Sequence, residues 1–211
     1  MAATALRRRL IHGQWQHLLY ALRTRLRGLD LSRASLEAIG LDADRAHHHH
    51  NSGGPDLAKL IRNTVAPPAG SRVIDFGSGK GGACFTLEQT GRFIEVLGVE
   101  LSRTLVATAQ ANATKLRSSV RFVEQDASMF TDLDRFTHFY FYNPFPAPIV
   151  RRVVANITAS LECCPRRAVL IYQYPDTCEV PNRIDAKVFP LAQVITPRLA
   201  HPFHVCIHEC V

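Results

Sequence analysis

Several things are scarce in this chain, and each scarcity narrows the field. No apolar run reaches the length that crosses a bilayer. The six cysteines, Cys84, Cys163, Cys164, Cys178, Cys206 and Cys210, form no CxxC pair. The vicinal Cys163–Cys164 pair is poorly placed for a disulfide framework, so reduced cysteines and an intracellular, cytoplasmic location are expected. Residues 1–29 contain no Asp or Glu, while Arg7, Arg8, Arg9, Arg23, Arg25 and Arg27 accumulate there. No apolar core with a small-residue cleavage site follows those arginines, which argues against secretion. A P-loop is excluded as well, because Lys80 is followed by Gly81 and not by Ser or Thr.

What is present reads as an ordinary globular protein. Of 211 residues, 46% are hydrophobic and 20% charged, enough to build one core without staples. The net charge of +7 and pI of about 9.4 permit a polyanionic partner such as RNA. The excess sits mostly in the first third, so a nucleic-acid partner is possible but not favoured. The acid-free N-terminus has two readings. One is a mitochondrial transit peptide. The other, preferred here, is an amphipathic helix that packs Ile11, Trp15, Leu18, Leu19, Leu22 and Leu26 on the domain.

Residues 1–53 are expected to be a helical extension and loop, and residues 54–211 the main domain. Helices are expected over 14–27 and 33–39, the second opening at Ser32 or Ser35 and stopping at Gly40. His47–His50 is read as a natural polar loop, not as a metal site. From Pro55 onward, helices near 55–65, 81–90, 102–116 and 147–162 alternate with strands near 72–76, 93–99, 120–124, 137–142 and 168–172. Two more strands follow, near 186–194 and 203–210. That alternation predicts an α/β, Rossmann-like doubly wound sheet, mostly parallel, with a hairpin adding an antiparallel strand at the edge.

The chemistry concentrates at strand ends. Val73-Ile74-Asp75-Phe76-Gly77-Ser78-Gly79-Lys80-Gly81-Gly82 runs a buried strand into a turn with almost no side chains, where backbone can approach a ligand. Gly77, Gly79 and Gly82 also satisfy the dinucleotide fingerprint, so the turn alone leaves an NAD-dependent oxidoreductase open. Asp75 tips the balance, since a carboxylate there suits an ammonium group and not a pyrophosphate. Glu100 ends the second strand, where it can accept both ribose hydroxyls. Asp126 follows the third, where it can accept from an adenine amino group. Each acid alone is explained by a helix cap or solvated loop; three at successive strand ends are not. The fourth strand ends in Asn143-Pro144-Phe145-Pro146. The Asn143 side chain and the Pro144 carbonyl are two acceptors that could hold an amine, with Phe145 beside them to stack.

Residues 53–175 resemble the core of the class I S-adenosylmethionine-dependent methyltransferases. Asp75–Gly82 matches the first motif, Glu100 the second, Asp126 the third and Asn143–Pro146 the fourth. The pattern DxGxGKGG, GVE, DA, NPFP is similar to a group of uncharacterised proteins. The Gly-Ser-Gly turn and Gly-Val-Glu strand end also resemble the histone-lysine methyltransferase Dot1. The resemblance implies a seven-stranded sheet whose last strand is antiparallel, and S-adenosylmethionine as cofactor. It implies cofactor contacts from Asp75, Phe76, Gly77, Ser78, Gly79, Gly81, Glu100, Leu101, Asp126, Ala127 and Asn143. It further implies an amine acceptor held by Asn143, Pro144 and Phe145. The sequence departs from the usual Asn-Pro-Pro-aromatic order, which puts the stacking role of Phe145 in question. A non-catalytic module that binds the cofactor or RNA is the remaining alternative. Asn51 and Ser52 are candidates for a lid over the methionine end. His204, Cys206, His208 and Cys210 alternate along one strand face about 6.6 Å apart, too far for all four to hold one ion. No metal is expected.

Overall fold

The computed structural model describes residues 2–173, 184–196 and 202–209, with side chains from Gln14 onward. Seven strands form one sheet: β1 (Arg72–Phe76), β2 (Glu95–Glu100), β3 (Arg121–Glu124), β4 (His138–Tyr142), β5 (Ala168–Gln173), β6 (Leu191–Ile195) and β7 (Phe203–His208). Their spatial order is β3-β2-β1-β4-β5-β7-β6. All pairs from β3 to β5 are parallel, while β7 runs antiparallel to both β5 and β6. The expected hairpin closes the sheet; the reversed strand itself lies one place in from the edge, which β6 forms. The chain moves outward from β1 to β3 and then returns to β4. The carboxyl ends of β1 and β4 therefore flank the topological switch point, where open α/β sheets bind ligands.

The strands follow from their sequences. β4 and β5 (HFYFY and AVLIYQ) are nearly continuous apolar runs because both faces are covered. Helices α3 (Pro55–Leu60), α4 (Gly82–Gln89) and α5 (Arg103–Leu116) cover one face through Leu57, Leu60, Leu87, Val106 and Ala109. α6 (Ala147–Cys163) covers the other with Val150, Val153, Val154, Ile157 and Leu161, a single helical stripe. Behind the switch point, Phe76 stacks on Phe141 at 5.1 Å and Phe141 on Tyr172 at 5.8 Å.

Local signals placed most boundaries. α2 (Leu36–Ile39) opens at Ser35, whose side chain accepts from the Ala38 amide, and stops at left-handed Gly40. The helix expected over 55–65 is α-helical only to Leu60 and then widens into a π turn at Ile61–Val65. The strand expected at 186–194 forms only at Leu191–Ile195, because Asp185 first nucleates a turn that accepts from the Lys187, Val188 and Phe189 amides. β7 places His204 and Cys206 in the interior, with the His204 ring at the Tyr172 carbonyl and Cys206 in the apolar core. Cys178 and Cys210 lie outside the described residues.

The first helix corrects one expectation. α1 (Ala2–Leu26) packs on the domain mainly with His17, Tyr20 and Thr24, and its apolar stripe meets the domain only at one edge. His17 Nε2 lies 3.2 Å from the Asp56 carboxylate, and the Tyr20 ring lies against Gly54. Trp15 and Leu19 line the groove beside α3 and α4, Leu18, Leu22 and Leu26 are exposed, and the Ile11 side chain lies outside the described residues. Periodicity identified the stripe but carried no information on which side of the helix the domain would lie.

Candidate active site

The chain between α1 and α3 crosses the carboxyl ends of the strands and is fastened there by polar side chains. Lys80, buried beneath it, donates to both oxygens of Asp30 at 2.8 Å and to Ser32 Oγ at 2.9 Å. Burial pulls the Asp30 carboxyl upward, but Lys80 and Ser32 outweigh it and hold the group at about 2. Asn112 ties the same corner down by donating to the Asp30 and Lys80 carbonyls, and Ser102 Oγ donates to the Ile39 carbonyl.

Beneath this segment the glycine turn is held by its own amides. Gly77 and Ser78 both donate to the Val99 carbonyl, at 2.8 and 3.2 Å, and the Gly79 amide donates to Glu100 Oε2 at 2.9 Å. Glu100 Oε1 accepts from the Ser102 amide at 2.8 Å. Burial raises the Glu100 carboxyl while these amides pull it back. Each oxygen still has a lone pair for a further donor. Gly77 has φ +76°, and a Cβ there would stand 2.2 Å from the Pro144 Cβ, so turn and β4 exit touch through a missing side chain.

Asp126 caps a single 3-10 turn, accepting from the Ser128 amide at 2.9 Å and hydroxyl at 2.7 Å; its other oxygen pairs with Arg45 at 3.2 Å. Burial raises this carboxyl, yet Ser128 and then Arg45 prevail and keep it below the usual range. Asn143 leaves β4 in left-handed backbone, φ +39°. Its Oδ1 is buried without a hydrogen-bond partner, and so are Ser78 Oγ and His49 Nε2. All three residues line one pocket, together with Gly77, Glu100, Leu101, Asp126, Ala127, Pro144 and Phe145.

Residues 45–52 roof that pocket. His47 donates its amide to the Pro144 carbonyl at 3.0 Å. Its Nδ1, 2.9 Å from the Asn143 carbonyl, must carry the proton there. The His49 ring lies over Gly79, where a Cβ would stand 2.2 Å from its Nδ1. Burial, with the nearby Lys80 charge, lowers His49 to about 4, so the ring is neutral at pH 7. The enclosed space is about 50 Å³, enough for a few waters and too small for a nucleoside.

Not every expected residue reaches the pocket wall. Asp75, expected to meet an ammonium group, lies under the turn at 2% exposure and accepts from the Cys84 thiol at 3.2 Å. Burial raises it to about 7, and the Glu100 charge adds to that. The reason is register: Asp75 pairs with Gly98 inside the sheet, one residue short of the end of β1 and two short of the end of β2. Phe76 belongs to the core, Gly79 is covered by His49, and Gly81 is packed against Phe85 and Phe122. Phe145 does line the pocket, but at 7% exposure it packs largely in the core beside Gly77. Arg45, His47 and His49 were missed; the polar run 47–52 and the proposed Asn51–Ser52 lid were the available hints. Away from the site, Asp134, Cys163 and Cys164 bring donor atoms within 4.8 Å of one another at the end of α6, a cluster not apparent from spacing.

The chain is similar to known proteins over the region that builds this arrangement. Residues 73–162 match the family model described as a methyltransferase domain. No curated protein matches the chain in sequence. Among solved structures it is similar to the putative methyltransferase yhhF from Escherichia coli, at 15% identity and TM-score 0.57, over 76% of this chain and 90% of that one. It is similar to the ribosomal protein L11 methylase from Lactobacillus delbrueckii subsp. bulgaricus, at 18% identity and TM-score 0.55, over 74% and 77%. It is also similar to an RNA methyltransferase from Salinibacter ruber solved with S-adenosyl-L-homocysteine, at 15% identity and TM-score 0.53, over 74% and 90%. The match spans the glycine turn and favours the methyltransferase reading of it over the dinucleotide one.

Proposed function

We propose that this chain, a class I S-adenosylmethionine-dependent methyltransferase, methylates a nitrogen atom of its acceptor. The observation that carries the reading is the buried, unpartnered Asn143 Oδ1 beside the Pro144 carbonyl. A buried acceptor without a donor costs about 1–3 kcal/mol, so it is retained where a ligand supplies the donor. An amine N–H is such a donor.

The pocket fits its cofactor in chemistry. Glu100 would accept the ribose hydroxyls on its spare lone pairs, and Asp126 the adenine amino group on the oxygen now paired with Arg45. Ser78 Oγ, also unpartnered, and the side-chain-free Gly77 would take the methionine end. Once bound, S-adenosylmethionine supplies a methyl group on a positively charged sulfur, already a good leaving group. The protein's own contribution is then positioning. Asn143 Oδ1 and the Pro144 carbonyl accept from the acceptor's N–H groups and aim its lone pair at the methyl. In the closed pocket His47 occupies the Asn143 and Pro144 carbonyls, so acceptor binding displaces it. His49, neutral and with a bare Nε2, lines the same pocket and offers a further hydrogen-bond acceptor there.

The test uses tritiated S-adenosylmethionine and fractionated cell extract, with the labelled product hydrolysed and its methylated nitrogen identified. Asn143→Ala should bind S-adenosylmethionine nearly as the parent does and lose about a hundredfold in kcat. Label recovered only in ester or thioether linkages would overturn the assignment.

A further inference from the structure

We propose that the outer face of α1 docks this protein on an anionic lipid surface. Successive helical residues are about 100° apart, so Trp15, Leu18, Leu19, Leu22 and Leu26 form one stripe and His17, Tyr20 and Thr24 the opposite side. The second side is the one that faces the domain. Leu18, Leu22 and Leu26 face solvent, 49–77% exposed, while Trp15 and Leu19, at 55% and 43%, sit at the rim of the groove between α1 and the domain. Arg25 borders the stripe on one edge and Arg23 on the other, both exposed. The amphipathic helix is therefore mounted with most of its apolar side outward.

Charge selects the occupant. Residues 1–29 hold no acid. Pairing this face with a second copy would set arginine rows against arginine rows with nothing to neutralise them. A nucleic acid would satisfy the arginines and leave five apolar side chains uncovered. A bilayer edge satisfies both: acyl chains take the stripe, and anionic headgroups take Arg23 and Arg25. Trp15 suits the interface between the two layers. Among the described residues no helix is long and apolar enough to cross a membrane, so α1 would lie in the plane of the surface.

Trp15 is the only tryptophan in the chain, which makes its fluorescence a direct reporter. The full-length protein is mixed with phosphatidylcholine vesicles, with or without phosphatidylglycerol. Trp15 emission should shift to the blue and the protein should float with the anionic vesicles only, and high salt should reverse both. Leu18→Glu/Leu22→Glu should abolish both while S-adenosylmethionine binding is unchanged, because both side chains are exposed and neither lines the cofactor pocket or the groove beside α3. Arg23→Glu/Arg25→Glu should weaken anionic binding at least tenfold. Absence of a shift with anionic vesicles overturns the proposal, as does an equal shift with neutral ones. Self-association without lipid that Leu18→Glu/Leu22→Glu abolishes would assign the face to a second copy. RNA binding that the same variant leaves intact, without flotation, would assign the arginines to nucleic acid.

Discussion

The pocket has a floor made of backbone and a roof made of side chains. In the floor, residues 75–82 and 98–102 exchange short amide hydrogen bonds, and the contact with Pro144 exists because Gly77 has no Cβ. In the roof, residues 45–52 are held by an ion pair, histidine contacts, the antiparallel bridge between Ala34 and His49, and side-chain hydrogen bonds from Asn51 to Tyr20 and between Ser52 and Tyr140. Floor contacts are buried and leave almost no freedom. Roof contacts are half-exposed and individually weak. The same cleft is thus bounded by a part that cannot move without unfolding and a part that can be exchanged for a ligand.

The sharpest way to break this contrast is Gly77→Ala. The new Cβ meets Pro144 while the backbone stays at φ +76°, so strain and overlap add to about 2–5 kcal/mol. Chemical denaturation should show that loss, and calorimetry should show no S-adenosylmethionine binding. Gly40→Ala provides the control: φ is +68° there but nothing lies within 4 Å, so only the conformational part, about 1 kcal/mol, is expected. Equal losses in the two variants would show that close approach to Pro144 contributes nothing.

The floor was the legible half, and the reason is local. A strand, a glycine turn and an acid at the next strand end occupy short windows of sequence, so Gly77, Ser78 and Glu100 were found by pattern. Asp75 was read from the same window, and the structure sets its carboxyl beneath the turn. Alternation says that its side chain leaves the sheet on one side, not how far below the strand end it sits or that Cys84 would meet it. The roof joins residues 81 and 96 positions apart, as in Arg45–Asp126 and His47–Asn143, and no window contains both ends. The outward face of α1 was illegible for a related reason: an apolar stripe looks the same whether it packs on the domain or on something else.

Asp75 sharpens the floor in a second way. Its carboxyl ordinarily titrates near 3.8 and is raised by burial to about 7. The folded state therefore keeps a proton that the unfolded chain releases. The stabilisation is complete below about pH 4, declines as pH rises and is gone above about pH 7. Asp75→Asn, which keeps an acceptor for the Cys84 thiol, should flatten that decline in denaturation curves taken across the window. An unchanged slope would mean that Asp75 is not the group being held protonated.

The smallest effect belongs to the roof. Arg45 and Asp126 form a partly exposed pair, with side chains 51% and 32% exposed, and such pairs contribute about 0.2–1 kcal/mol. Arg45→Ala should therefore leave the melting temperature almost unchanged. Yet the same contact must open before Asp126 can accept from adenine, so its loss should favour the cofactor. S-adenosylmethionine affinity should rise by up to about fivefold, the equivalent of 1 kcal/mol, and its association rate should rise with it. Weaker binding in Arg45→Ala would reverse the picture: Arg45 would then belong to the bound state, and the roof would be a wall completed by the ligand instead of a cover displaced by it.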